Sequence, residues 1–200
     1  MFALVESGSI TKYLNGNKGI QIGDLKYPRA IYTLWTEAER NAIGIYTIVY
    51  DDTNKKDEQW FINTNQSYAF ANSTVTATYG TATAKAHADA NFTEEDEDNG
   101  LGTEGELKSR GLKYKLIQNV KLEAANELAK TDWYITRNAE KSTAIPSAIT
   151  THRDLVRSRQ ATMETAITNA SDTPALETLY TYTEDSDGVT SRPLPEIPTL

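Results

Sequence analysis

The 200-residue sequence predicts an α+β protein: a small β-rich N-terminal domain, an acidic linker, a C-terminal helical hairpin and an extended Pro-rich tail. Three observations predict it. Residues 107–170 carry the strong helical periodicity of the chain. Residues 1–92 are filled by short β-branched and aromatic runs between turn residues. Residues 93–106 read Thr-Glu-Glu-Asp-Glu-Asp-Asn-Gly-Leu-Gly-Thr-Glu-Gly-Glu, where like charges repel and glycine raises the entropy of ordering. The expected divisions are a docking domain over 1–92, a flexible linker over 93–106, the hairpin over 107–170 and the tail over 171–200.

In the N-terminal part, Ala3-Leu4-Val5 and Ile10-Thr11-Lys12-Tyr13-Leu14 flank Ser7-Gly8 and read as two strands and a turn. Asn15-Gly16-Asn17-Lys18-Gly19 is a second turn, rich in residues that tolerate positive φ. Thr36-Glu37-Ala38-Glu39 is a capping box that opens a short helix, and Gly44 can close it. Ile45 to Tyr50 is a strand. From Gln59 to Lys85 the pattern stays β-like. Ser73 to Tyr79 is a threonine-rich strand with a small inner face, and Thr81 to Ala88 fits helix and strand equally.

In the C-terminal part, a first helix is expected from about Glu106 to Ala129, its apolar stripe formed by Tyr114, Ile117, Val120, Ala124 and Leu128. A second runs from Pro146 to Asn169. Its seam is Ile149, Val156, Met163 and Ala170, supported by Ile167, with Arg153, Arg157 and Arg159 on a basic opposite face. Between them, Thr131 or Asp132 can cap a new turn, inside which Trp133 pins the junction as a packing anchor. Arg137 and Glu140 are spaced to pair. Ala175 to Tyr182 is a last short element, and Arg192 to Leu200 is extended and suited to lying across a neighbour.

Composition narrows the function. A net charge of −8 and a pI near 4.9 argue against nucleic acid and anionic membranes, which call for basic patches. Absence of cysteine excludes disulfides, zinc–thiolate sites and cysteine nucleophiles. The N-terminus lacks the pattern of a signal peptide, and no run reaches the apolar length of a membrane span, so a soluble, unexported protein is expected. The Asn-x-Ser/Thr matches at Asn65, Asn91 and Asn169 are then chance. The 38 % hydrophobic content, with 11 Tyr against 4 Phe, suits a modest core and surfaces shared with other subunits.

No constellation of residues carries chemistry. Glu95, Glu97, Asn99 and Glu106 have EF-hand spacing, but the first ligand is not Asp and Gly102 stands where an apolar residue belongs. His87 and His152 are isolated. Neither a nucleophile elbow nor a phosphate-cradling glycine loop is present. Trp35, Trp60 and Trp133 are expected in the core. The expectation is a non-enzyme without cofactor or metal.

Leu128-Ala129-Lys130-Thr131-Asp132-Trp133-Tyr134-Ile135-Thr136-Arg137, followed by Ile145-Pro146 and a helix carrying Arg153 and Arg157, resembles a recurrent segment of tailed-bacteriophage virion proteins. Small tail proteins, tail-fibre components and their assembly factors share this series. Tyr27-Pro28, Trp35 to Arg40 and Gly44-Ile45-Tyr46 resemble the start of such proteins. The resemblance implies a structural tail protein of the virion, made in the host cytoplasm, at or near the fibre or baseplate. It implies other virion subunits as partners, and with the heptad seam it allows a homo-oligomer such as a trimer. A fibre-assembly chaperone and a carbohydrate- or calcium-binding module are the alternatives. The side chains expected to carry packing and assembly are Trp35, Tyr46, Trp133, Arg137, Ile149, Arg153, Val156, Arg157 and Met163.

Overall fold

A computed structural model describes residues 1–64 and 66–200, so Asn65 of the first Asn-x-Ser match lies outside the described residues. Helices and strands are both present, as expected of an α+β chain. The chain divides into two compact units, residues 1–83 and 84–200.

The N-terminal unit holds strands β1 (Phe2–Glu6), β2 (Ser9–Leu14), β3 (Ile20–Ile22) and β4 (Leu25–Tyr27), then helices α1 (Ile31–Leu34) and α2 (Glu37–Ala42). Strands β5 (Ile45–Asp51), β6 (Phe61–Ile62), β7 (Gln66–Ala71) and β8 (Thr74–Tyr79) follow, with β9 (Thr83–Ala84) at its end. A curled five-stranded sheet has the order β2-β1-β5-β8-β7. The β1–β2 hairpin turns through Ser7 and Gly8, at φ 51° and 77°, the left-handed pair that matches strand twist. Strands β5 and β8 run parallel; the other neighbours are antiparallel.

Strand β1 is a continuous apolar run because both of its faces are covered. Ala3 and Val5 pack with Ile48, Val75 and Ala77 on one side, while Leu4 packs with Ile20, Ile31, Tyr32 and Ile45 on the other. The small inner face expected of β8 is Val75 and Ala77, both fully buried. Helix α2 has both bonds of the expected capping box, between Thr36 and Glu39. Gly44 sits at φ 81°, and a Cβ there would meet the Val5 carbonyl oxygen at 2.6 Å, so glycine is required.

The C-terminal unit begins at Ala84 rather than after the expected boundary at residue 92. The reason lies at the start of helix α4 (Leu112–Ala129), where Gly111 has no side chain to cap the first turn. The free amides are met from residues 86–89 instead. Leu112 and Lys113 donate to the Ala86 and His87 carbonyls, each at 3.0 Å, and Gly111 donates to the Asp89 carboxylate at 2.8 Å.

Residues 93–106 are ordered, in place of the expected flexible linker. Strands β10 (Ala90–Asn91) and β11 (Leu107–Ser109) pair on either side of them. Helix α3 (Glu94–Asp98) is capped by Thr93 and Asp96, and its acidic first turn sits at the favourable end of the helix dipole. Lys108 meets Asp96 at 2.6 Å, which offsets part of the like-charge repulsion.

Helix α4 packs against α6 (Ser147–Asn169), with α5 (Asp132–Lys141) between them in sequence, so the expected hairpin carries an extra helix at its turn. Ile149, Val156, Met163, Ile167 and Ala170 of the expected seam are all buried. The stripe on α4 is rotated from the expected one: Leu116, Val120, Ala124 and Glu127 are buried, Ile117 and Leu128 are half-buried, and Tyr114 is exposed. Helix α7 (Thr173–Tyr180) and the hairpin β12 (Thr183–Glu184) with β13 (Thr190–Ser191) lead into the tail. That tail packs on its own unit rather than lying free: Leu194 and Ile197 are buried, and the Leu194 amide donates to the Leu179 carbonyl at 3.0 Å.

Ile45→Ala should destabilise the N-terminal unit by about 2–5 kcal/mol in chemical denaturation, since it leaves a cavity where a fully buried side chain stood. In hydrogen exchange the Phe92 and Gly105 amides, which donate to the Glu106 and Phe92 carbonyls, should be protected well beyond a free chain.

Candidate functional site

The expected site residues separate into four kinds of place. Trp35 and Tyr46 stay in the N-terminal unit, on opposite sides of its sheet. Trp35 is half-buried beside Tyr27, edge to face at 5.9 Å, and Tyr46 packs on Phe70 at 4.8 Å. Both are core-lining groups there. Ile149, Val156 and Met163 form the buried seam of α6.

Arg153 is the first correction. Expected on a basic outer face, it is only 8 % exposed. One nitrogen, Nη1, donates to the Leu128 carbonyl at 2.8 Å and to Thr131 Oγ1 at 2.7 Å, and lies 2.9 Å from Asp132 Oδ1 in an ion pair. The α4 C-terminus leaves its last carbonyls without helical partners, and a guanidinium fits there by charge and geometry. Thr131, fully buried, makes no side-chain cap; its hydroxyl donates to the Leu128 carbonyl at 3.0 Å and accepts from Arg153. The Arg153 contacts therefore fix the corner between α4 and α5. Arg157 stays on the surface, with Asp154 at 3.3 Å.

Beside this corner lies a carboxylate that periodicity alone did not single out. Glu127 is 5 % exposed. It accepts from Lys130 Nζ, from the Leu200 amide at 2.9 Å, and shares a 3.2 Å contact with His152 Nε2. The hydrogen bond from Lys130 holds its carboxyl below the usual value, aided by Leu200 and His152 against the opposing effect of burial. The signal for this cluster was a glutamate seven residues after Val120 on the α4 stripe, together with adjacent His152 and Arg153 on the facing helix.

Trp133 is the second correction. It is 51 % exposed rather than a buried anchor. Helix α5 buries none of its ten residues. Trp133 stacks against Tyr134 with ring centroids 3.8 Å apart, and Arg137 lies over Trp133 at 4.6 Å. Arg137 is thus used in a cation–π stack, in place of the expected pairing with Glu140. The result is a Trp–Tyr–Arg platform, with Ile135 also 42 % exposed.

The residues with EF-hand spacing serve other ends. Glu97 accepts from the Glu104 amide at 3.0 Å, and the Asn99 amide group donates to the Glu95 carbonyl at 2.8 Å. Among the described residues, no group of three His, Cys, Asp or Glu side chains could hold a metal ion. No helix among them is long and apolar enough to cross a membrane.

Arg153→Met should cost about 1.5–3 kcal/mol of stability by urea denaturation, because Leu128 and Thr131 lose a charged donor; Trp133→Ala should cost less than about 1 kcal/mol. Wild type should also outlast Glu127→Gln in a pH-dependent way. The folded-state value of Glu127 lies below its ordinary 4.5, so its contribution is present above that pH and fades as pH falls through the folded value. Stability curves of the two proteins should converge in acid. Compared with known protein families, with curated proteins and with solved structures, the chain matches none.

Proposed function

We propose that this chain is a structural protein of a tailed-bacteriophage virion, at or beside the tail fibre or baseplate, and that it acts by protein–protein assembly. The reading is supported by the resemblance of Leu128 to Arg137, with Ile145-Pro146, to a segment of such proteins. The observation that carries it is helix α5. A ten-residue helix with no fully buried residue holds Trp133 and Ile135 in the open, with Tyr134 and Arg137 half-buried beside them. Trp, Tyr and Arg dominate interface hot spots because they bury large area with few rotors and keep a polar handle. Here the three are stacked in advance, so a partner meets an ordered platform and the entropy loss on docking is small. Leu122 on α4 and Leu155 on α6, 61 % and 43 % exposed, add apolar surface to the same unit.

The occupant is a neighbouring subunit of the tail, another copy of this chain included. Mass spectrometry of purified particles should find the chain at a fixed copy number. The double variant Trp133→Ala/Ile135→Ala should fold with a near-native melting temperature yet enter particles at least about tenfold less, a loss of roughly 1.4 kcal/mol in docking. A chain needed for fibre formation but missing from finished particles would instead be an assembly chaperone. An isolated monomer by sedimentation, absent from particles and without effect on their assembly, would overturn both.

A further inference from the structure

The N-terminal unit contains a groove that the assembly reading does not use. Its volume is about 670 Å³, within the range of small-molecule sites. Strand β2 supplies Lys12 and Leu14, the following turn supplies Asn15 and Lys18, and Ile20 and Gln21 of β3 face them with Tyr32 of α1. The floor is apolar: Ile20 and Tyr32 belong to the buried cluster around Leu4, and Leu14 packs against it. Gly16, at φ 70°, brings the turn backbone down on this floor, since the place of a Cβ there lies 3.3 Å from the Tyr32 ring.

The charge on the groove is of one sign. Lys12 and Lys18 are its only charged side chains, although acidic residues outnumber basic ones 28 to 20 in the whole chain. Among the described residues neither lysine has an ion-pair or hydrogen-bond partner. An acidic protein that keeps two unneutralised ammonium groups beside an apolar floor selects an anion with an apolar body. Asn15 uses its oxygen on the Asn17 amide, which leaves its NH₂ as a further donor for an anion.

We propose that this groove binds a small organic carboxylate, its apolar body seated on Leu14, Ile20 and Tyr32 and its carboxylate drawn to Lys12 and Lys18. A bare inorganic anion gains nothing from the floor, and a neutral apolar molecule gains nothing from the lysines. Binding therefore needs both parts of the ligand. The site lies within one unit and needs no assembled particle to act.

The test is a two-dimensional NMR titration of the full chain with benzoate and hexanoate, compared with methyl benzoate, acetate and inorganic phosphate. Benzoate or hexanoate should saturate with a Kd of about 1 mM or tighter, with shifts confined to residues 12–21 and Tyr32. Methyl benzoate, acetate and phosphate should each bind at least about tenfold more weakly. Lys12→Glu/Lys18→Glu should abolish saturation with an unchanged melting temperature, and Lys12→Gln/Lys18→Gln serves if charge reversal disturbs folding. Added salt should weaken the wild-type interaction. Shifts outside the groove, equal binding of methyl benzoate or phosphate, or full affinity in a folded lysine variant would overturn the assignment.

Discussion

The C-terminal unit depends on one contact, the insertion of Arg153 into the open end of helix α4. A helix ends with carbonyls that its own backbone cannot satisfy, and here that end is buried against α6. Arg153 adds a charged donor to the Leu128 carbonyl, which the Thr131 amide also reaches at 3.1 Å, and to the buried hydroxyl of Thr131, and it reaches Asp132 at the first turn of α5. One guanidinium thereby ties the end of α4, the start of α5 and the second turn of α6. The direction of α5 follows, and with it the outward presentation of Trp133, backed by half-buried Tyr134 and Arg137. Glu127 and His152 extend the same polar seam by one turn, and the Leu200 amide brings the tail to it.

A polar seam of this kind has a specific advantage over an apolar one. The α6 positions Ile149, Val156 and Met163 recur every seven residues and would tolerate a two-turn slide along α4 on packing grounds. A buried arginine whose acceptors exist at only one height along α4 removes that freedom. The residues that line the seam therefore supply most of the burial, and Arg153 and Glu127 set its register. The N-terminal unit uses a different constraint, a central strand covered on both faces, where Ala3, Leu4 and Val5 join two apolar clusters through one backbone.

Local rules were legible in the sequence where neighbours along the chain supply all the partners. Thr36 and Glu39 and the Ser7-Gly8 turn are of this kind, while the Ile149–Val156–Met163 seam was legible from its repeat although its partner is the distant α4. Partners that arrive from elsewhere were not legible. Arg153 looks like a surface cation until Leu128 and Thr131, more than twenty residues away, are placed beside it. Trp133 looks like core because tryptophan usually is, but its company is the neighbouring Tyr134 ring and Arg137, a group that stacks in water as readily as in a core. The acidic run at 93–106 reads as too charged to order, yet Thr93-x-x-Asp96 is itself a capping signature, and Lys108 pairs with Asp96. In the tail, spacing of prolines described an extended chain but not the surface that Leu194 and Ile197 would cover.

We propose that Arg153 orients α5 so that its aromatic platform meets another subunit. The most direct measurement places a photo-activatable phenylalanine at position 133 and irradiates intact particles assembled with that protein. A cross-link from position 133 to a neighbouring virion subunit is expected, lost when Arg153→Met is introduced in the same chain. Reaction with solvent alone in assembled particles, with no intersubunit product, would contradict it.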